Sequence, residues 1–162
     1  MPLAITSPEF GDHAPIPALY TCDGDDVAPP IAWSGPPPHT ASFALIVDDP
    51  DAPDPAAPKR TFVHWVVYNI PPSVRELADN AALPDRSLEG RNDDGGSGYT
   101  GPCPPIGRHR YFFKLYALDT LLDDLGSPTK ADLERAMKGH ILEQAQLVGT
   151  YERGGAAGGQ RR

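Results

Sequence analysis

The chain has 162 residues, with 14 lysine and arginine residues against 22 aspartate and glutamate residues, so its formal net charge is -8. This length suits one domain with a sizeable core, and the acidity argues against a broad nucleic-acid surface. No uninterrupted apolar stretch could cross a bilayer, and the N-terminus lacks the basic-then-apolar order of a signal peptide. We therefore expect a cytoplasmic protein that neither binds nucleic acid nor inserts into a membrane.

Proline, glycine and cysteine usage narrows the class of fold. Twenty prolines and sixteen glycines leave room for few helices and favour short strands joined by loops. Cys22 and Cys103 are too few for a disulfide framework, and the sequence leaves open whether they form one bridge. We expect a mainly β protein.

In chain order, strands are predicted near Ile5, near Ile31 to Trp33, at 42–47, at 61–68 and at 109–119. The segment at 42–47 is a short, mostly apolar run typical of a buried strand, and that at 61–68 is apolar on both faces, so it is expected to be central, as is that at 109–119. In "TFVHWVVY", simple alternation places His64 on one face with Val66 and Tyr68, and Trp65 on the opposite face.

Helical periodicity is confined to one segment. Leu133, Met137 and Ile141 recur every four residues, which predicts a helix over about 129–144, and Thr129 with Asp132 resembles a capping box. Before it, residues 73–101 form one long connection, and after it "AQLVGTY" predicts a final strand. We expect a single domain over 1–152 and a flexible Gly-rich tail over 153–162.

The stretch "DDPDAPDP" at 48–55 directly follows a predicted buried strand. If it is extended, Asp49 and Asp51 share a face, and two close carboxylates either raise one pKa or require donors nearby. The alternative is an Asp/Pro turn whose carboxylates cap backbone amides.

Two further elements have equally plain structural interpretations. His64, alone on an apolar strand, is typical of a hydrogen-bonded core residue, and "GPCPP" at 101–105 is typical of a rigid turn leading into His109.

Together, "DPDAP", "HWVVYNIP" and "GPCPPIGRHRY" resemble the phosphatidylethanolamine-binding protein family, in its bacterial branch of Raf-kinase-inhibitor-like proteins. The resemblance extends from "YTCDG" at 20–24 to "QLVGTY". It implies a Greek-key β-sandwich of two packed sheets with a few peripheral helices. It also implies a small anion pocket at one end of the sandwich, for phosphate or a phospholipid headgroup. The implied ligand-binding residues are Asp49, Asp51, His64, Gly101, Pro102, His109 and Tyr111.

Physical chemistry assigns roles within such a pocket. An anion needs donors, which we expect from His64, His109, Tyr111 and backbone N–H groups of the Gly-Pro turn. The aspartates would then orient the histidines and keep them protonated, or accept hydrogen bonds from an amine. Arg110 is expected on the other face of the sheet.

Rival interpretations remain at this stage. Asp49, His64 and His109 could form a metal-binding set, and Cys103 with His109 could be a nucleophile and base, although neither has the spacing or setting typical of such sites. The protein could instead inhibit a kinase or protease through its surface, and the sequence leaves a homodimer open. We expect a binding protein that is not an enzyme and uses no metal or cofactor.

Overall fold

A computed structural model of the chain describes residues 2–79 and 82–153. Nine strands, one α-helix and one short 3₁₀ helix are present in the described residues, and the strands and the α-helix are numbered here. In chain order they are β1 (Ala4–Thr6), β2 (Ala14–Pro15), β3 (Ile31–Ser34), β4 (Ser42–Ala52), β5 (Arg60–Ile70), β6 (Glu76–Leu77), β7 (Leu88–Glu89), β8 (His109–Leu118), α1 (Lys130–Met137) and β9 (Ile141–Tyr151). No helix in these ranges is long and apolar enough to span a membrane.

The strands form two sheets. A small sheet has the order β1-β3-β6, and a large sheet has the order β2-β9-β8-β4-β5-β7. Strand β4 lies between β5 and β8, although residues 71–108 separate those two strands in the chain, which is a Greek-key connection. The mainly β, two-sheet fold expected from the sequence is confirmed.

The main core lies between the two sheets. It combines side chains of the small sheet, such as Ile5 and Trp33, with inward-facing side chains of the large sheet, such as Phe43 and Phe113. A second cluster lies on the outer face of the large sheet, where Leu133 of α1 packs. Strands β4, β5 and β8 are therefore covered on both faces, as their apolar character predicts.

The predicted helix is correct at its start and too long at its end. The Thr129–Asp132 capping box is present, but α1 ends at Met137. Gly139 has a φ of 84°, a backbone conformation that ends a helix, and β9 begins at Ile141. Ile141, which the sequence placed on the helical stripe, is 42% exposed on a strand.

Other boundaries also differ from the sequence expectations. Strand β4 continues through the acidic motif to Ala52, and the long connection over 73–101 contains the short strands β6 and β7. Of the predicted tail, Arg153 alone lies within the described residues, and its guanidinium binds Asp23. Residues 154–162 lie outside the described ranges.

A bulge in β5 changes the predicted alternation around His64. Val47 pairs with Trp65 and Asp48 pairs with Val63, so His64 is an extra residue without a partner position on β4. As a result Trp65 joins the core between the sheets, and the His64 ring contacts Tyr111 on that same side. The expectation that His64 shares a face with Val66 and Tyr68 is wrong, because both of those belong to the outer cluster.

The buried ion pairs of Asp48 on the outer face of the large sheet can be tested by substitution. Its side chain is 1% exposed, and Oδ2 lies 3.0 Å from Lys114 Nζ and 2.7 Å from Lys130 Nζ. Replacing both lysines by methionine leaves a buried carboxylate without a cation, so we expect a loss of about 3–5 kcal/mol of unfolding free energy in urea titrations. The exposed Lys138→Met is the control and should change stability by less than about 0.5 kcal/mol. Equal stability of the double variant and the wild type would contradict this role for the lysines.

Candidate functional site

The predicted site residues meet at one end of the core, where the end of β4, the bulge of β5, the start of β8 and the Gly-Pro turn converge. His109 contacts both Asp49 and Tyr111, and the Tyr111 ring also contacts His64. His64 in turn contacts Thr100, directly before Gly101. Asp49, His64, His109 and Tyr111 are each at most 1% exposed.

His109 has an acceptor at each ring nitrogen. Nδ1 lies 2.6 Å from Asp49 Oδ2, while Nε2 lies 3.0 Å from the Pro53 carbonyl and 2.9 Å from the Ile106 carbonyl. Carboxylate and carbonyl oxygens only accept hydrogen bonds, so this arrangement is satisfied by an imidazolium with both nitrogens protonated. Burial opposes that charge, but the hydrogen bond and the charge of Asp49, together with the two carbonyls, outweigh it and raise the pKa of His109 above 6.5.

This geometry changes the role expected of His109. We expected it to donate directly to an anion, but each of its N–H groups already donates within the protein. His109 is instead the cation that neutralises the buried Asp49 carboxylate and connects it to the loops of Pro53 and Ile106. Both carboxylate oxygens of Asp49 also accept hydrogen bonds within the protein, because Oδ1 accepts from the Asp51 backbone N–H at 2.7 Å.

Asp51 has a separate cation. The Arg110 guanidinium donates to both of its carboxylate oxygens, at 3.0 and 2.9 Å, and the Arg110 backbone N–H donates at 2.9 Å. These hydrogen bonds, led by the side-chain one and opposed by burial, lower the pKa of Asp51. The sequence predicts that two close carboxylates either raise one pKa or have hydrogen-bond donors nearby. For Asp51 the structure shows nearby donors.

The partners of the two aspartates are separated by the bulge that ends β4. Asp49 pairs with Phe62 and Ala52 with Arg60, so Pro50 and Asp51 together face one residue of β5. Successive residues of β8 then provide the cations. The His109 side chain is fully buried, whereas the Arg110 side chain is 53% exposed on the other face, as expected, and reaches back to Asp51.

The Gly-Pro turn is docked against the segment 20–26. Gly101 N–H donates to Asp26 Oδ1 at 2.8 Å, and Cys22 N–H donates to the Pro102 carbonyl at 3.1 Å. A Cβ atom at position 101 would collide with Asp26 Oδ1 and the Tyr20 carbonyl, which explains the glycine. The Gly101 N–H that we expected to serve a ligand therefore donates to Asp26.

His64 is oriented by the residue that precedes this turn. Its Nδ1 lies 2.6 Å from the Thr100 carbonyl, and Thr100 N–H donates to the His64 carbonyl at 3.0 Å. The carbonyl acceptor assigns a proton to Nδ1. Sequence reasoning missed both Thr100 and Asp26, because a contact between distant loops has no local pattern. In the sequence, the position of Thr100 directly before the Gly-Pro turn is the feature that could have indicated its role.

The Tyr111 hydroxyl is the distinctive polar group of the site. It is buried and has no hydrogen-bond partner among residues 2–79 and 82–153. Burial, assisted by the negative charge of Asp49, raises the pKa of Tyr111 well above 10, so the hydroxyl keeps its proton. A buried hydroxyl without a partner is unfavourable in the empty protein, and it offers a hydrogen bond to a molecule that reaches it.

Two observations bear on the metal-binding and cysteine-nucleophile alternatives. Within those ranges no group of three or more His, Cys, Asp or Glu side chains is arranged to hold a metal ion. Cys103 forms a disulfide with Cys22, so its sulfur is not a thiol that His109 could activate. The bridge that the sequence left open is therefore present.

Comparison with known proteins identifies the family. The profile of the phosphatidylethanolamine-binding protein family matches residues 6–152. A UPF0098 protein of Methanothermobacter thermautotrophicus is 50% identical over 90% of this chain and 95% of its own. A UPF0098 protein of Chlamydia pneumoniae is 42% identical, over 93% of this chain and 99% of its own.

Comparison with solved structures gives the same family. A phosphatidylethanolamine-binding protein homolog from Chlamydia trachomatis superposes with a TM-score of 0.88 at 42% identity, covering 94% of this chain and 98% of that one. Escherichia coli YbcL superposes with a TM-score of 0.85 at 32% identity, covering 94% and 99%. The chain belongs to the phosphatidylethanolamine-binding protein family, as its motifs predicted.

The raised pKa of His109 predicts how stability depends on pH. Below the unfolded-state value of about 6.5, the folded and unfolded chains are both protonated and the full contribution of the Asp49–His109 pair is present. As pH rises through the higher folded pKa, that contribution is lost. The difference in unfolding free energy between wild type and His109→Asn should therefore decrease as pH rises from about 5 to about 9, measured by urea titration.

A second histidine provides the matched control. His39 is exposed and has a φ of 71°, a conformation that asparagine tolerates, so His39→Asn should follow the wild-type profile. A difference between wild type and His109→Asn that stays constant over the range would contradict a charged His109.

Proposed function

We propose that this protein binds a small oxyanion, of the phosphate or phosphate-ester kind, beside Tyr111 and His64, without converting it chemically. The observation that carries the proposal is the buried Tyr111 hydroxyl, which is protonated and has no partner in the described residues. An anionic oxygen is the acceptor that gives such a donor its strongest hydrogen bond.

The charges around the site are compatible with an anion. Asp49 and Asp51 would repel it if they were unpaired, but each is bound by its own cation, His109 and Arg110. With His109 protonated, the Asp49–His109 pair carries no net charge. The acidic motif thus leaves the space beside Tyr111 without an uncompensated carboxylate from these two residues.

Family membership supports a ligand-binding function in general. Free phosphate and the phosphate of a phospholipid headgroup present the same oxygens, so both fit the proposed chemistry. Binding requires a local opening, because the Tyr111 and His64 side chains are almost completely buried. The loops whose carbonyls contact His109, at Pro53 and Ile106, adjoin the site, and Ile106 itself is 54% exposed.

Tyr111→Phe tests the proposal directly. The variant removes the hydroxyl and keeps the ring, so the affinity for inorganic phosphate, measured by isothermal titration calorimetry, should fall by about 1.5–3 kcal/mol, or about 10- to 150-fold. Because the hydroxyl has no partner in the empty protein, the same variant should unfold at equal or higher urea concentration than wild type.

Tyr116→Phe is the matched control. Tyr116 is 8% exposed, burial raises its pKa to about 12, and it lies in the cluster on the outer face of the sheet. Its removal should leave the phosphate affinity unchanged. If wild type binds no phosphate, or if Tyr111→Phe binds it as tightly as wild type does, the proposal is wrong.

Anion affinity should also depend on the charge of His109. Sulfate is the suitable probe, because its own charge does not change between about pH 5 and pH 9. As pH rises through the raised pKa of His109, the Asp49–His109 pair becomes net negative, so sulfate should bind more weakly. In His109→Asn the Asp49 charge is never neutralised at this position, and sulfate binding should be weak and independent of pH. A wild-type affinity that stays constant or rises with pH would contradict the electrostatic part of the proposal.

A further inference from the structure

One covalent link joins the Gly-Pro turn to a distant part of the chain. Cys103, in the turn, forms a disulfide with Cys22, 81 residues earlier and two residues after the end of the 3₁₀ turn Ala18–Tyr20. Disulfides occur in oxidising compartments, and in reducing ones those that form are usually transient and redox-sensing. The chain contains no other cysteine.

The disulfide fastens the turn to the segment 20–26, alongside several hydrogen bonds. Tyr99 Oη donates to the Tyr20 carbonyl at 2.8 Å. The Gly101 N–H donates to Asp26, and the Cys22 N–H donates to the Pro102 carbonyl. Within this turn the Thr100 carbonyl accepts from His64 Nδ1. A shift of the turn therefore changes the position of the ring that contacts Tyr111.

The two cysteines differ in accessibility. Cys103 is fully buried, whereas Cys22 is partly exposed and precedes three exposed residues, Asp23 to Asp25. Thiol–disulfide exchange requires the attacking thiolate to reach one sulfur and the other to leave. Attack is therefore directed to Cys22, with Cys103 as the leaving group.

We propose that the Cys22–Cys103 disulfide is a thiol–disulfide exchange site, attacked at Cys22, and that its reduction releases the Gly-Pro turn and weakens anion binding. The effect on binding rests on the proposed function. A small thiol such as glutathione attacks Cys22 Sγ as its thiolate, a mixed disulfide forms, and Cys103 leaves as a thiolate that takes up a proton. A second thiolate attacks the mixed disulfide, which gives oxidised glutathione and a second protein thiol. Two electrons pass from two glutathione molecules to the protein.

The site of attack can be measured without any ligand. Full-length oxidised protein is exposed to excess glutathione, quenched with acid, denatured, alkylated with N-ethylmaleimide and digested. Mass spectrometry should find glutathione on Cys22 and N-ethylmaleimide on Cys103 in the mixed-disulfide species. Glutathione on Cys103, or a disulfide that excess glutathione leaves intact, would overturn the proposal.

The release of the turn is measured by amide hydrogen exchange with and without dithiothreitol. Reduction should speed exchange in the peptide that contains Thr100 and Gly101, whose N–H groups donate to His64 and Asp26. The phosphate affinity should fall about tenfold, equivalent to about 1.4 kcal/mol of lost preorganisation, and should return on reoxidation. The control variant Cys22→Ser/Cys103→Ser should have the amide exchange and phosphate affinity of reduced protein, and dithiothreitol should change neither.

The two proposals fail in different ways. If oxidised protein binds phosphate and reduction changes neither its affinity nor the exchange of Thr100 and Gly101, the redox inference is wrong and the proposed function stands. If oxidised protein binds no phosphate, the proposed function fails together with the effect on binding, while exchange at Thr100 and Gly101 still decides whether reduction releases the turn. Loss of the β-sheet circular dichroism signal on reduction would show general unfolding and overturn the inference.

Discussion

The charge pairing at the end of β4 is the constraint on which the rest of the site depends. Burying a carboxylate costs several kcal/mol unless a cation and hydrogen bonds compensate for lost water, and three aspartates are buried within four residues here. Strand β8 provides a cation for each of them: Lys114 for Asp48, His109 for Asp49 and Arg110 for Asp51. The neighbouring β4 and β8 are thereby held in one register up to the site. A shift of one residue would separate every carboxylate from its cation.

This pairing explains how an acidic motif can border the proposed anion site. The cations are used internally, so the motif acts as a neutral framework and does not bind the anion through those cations. The Tyr111 ring contacts the rings of both His64 and His109, and its buried hydroxyl has no hydrogen-bond partner in the described residues, so it keeps its hydrogen-bonding capacity. Proteins retain a buried polar group without a partner at a cost in stability, which is typical of a functional position. The site thus separates charge compensation from ligand recognition.

The sequence predicted most of the strands, but not the hydrogen-bond partners of the candidate site residues. Apolar runs marked β4, β5 and β8 because burial on both faces has a local signature. The bulge at His64 has none, since it arises from the pairing of β5 with β4. The roles of His109 and Gly101 were likewise decided by remote groups, the Ile106 and Pro53 carbonyls and Asp26. The sequence predicts a helix that continues past Met137, because Ile141 falls on the apolar stripe of Leu133 and Met137. In the structure the helix ends at Met137, close to Gly139 with its positive φ.

The two sides of the site are held by forces of different kinds. On the β8 side, the buried Asp49–His109 ion pair and the ladder with β9, which pairs His109 with Tyr151 and Tyr111 with Gly149, fix the positions of His109 and Tyr111. On the other side, the Gly-Pro turn is docked by a few hydrogen bonds and one disulfide, and through Thr100 it orients His64. The two sides therefore differ in kind, because the attachment of the turn includes a covalent bond that can be made or broken chemically, whereas the strands are held by noncovalent pairing alone. The proposed reduction of the disulfide is accordingly expected to act on His64, through Thr100, and to leave the charge pairing of β4 and β8 intact.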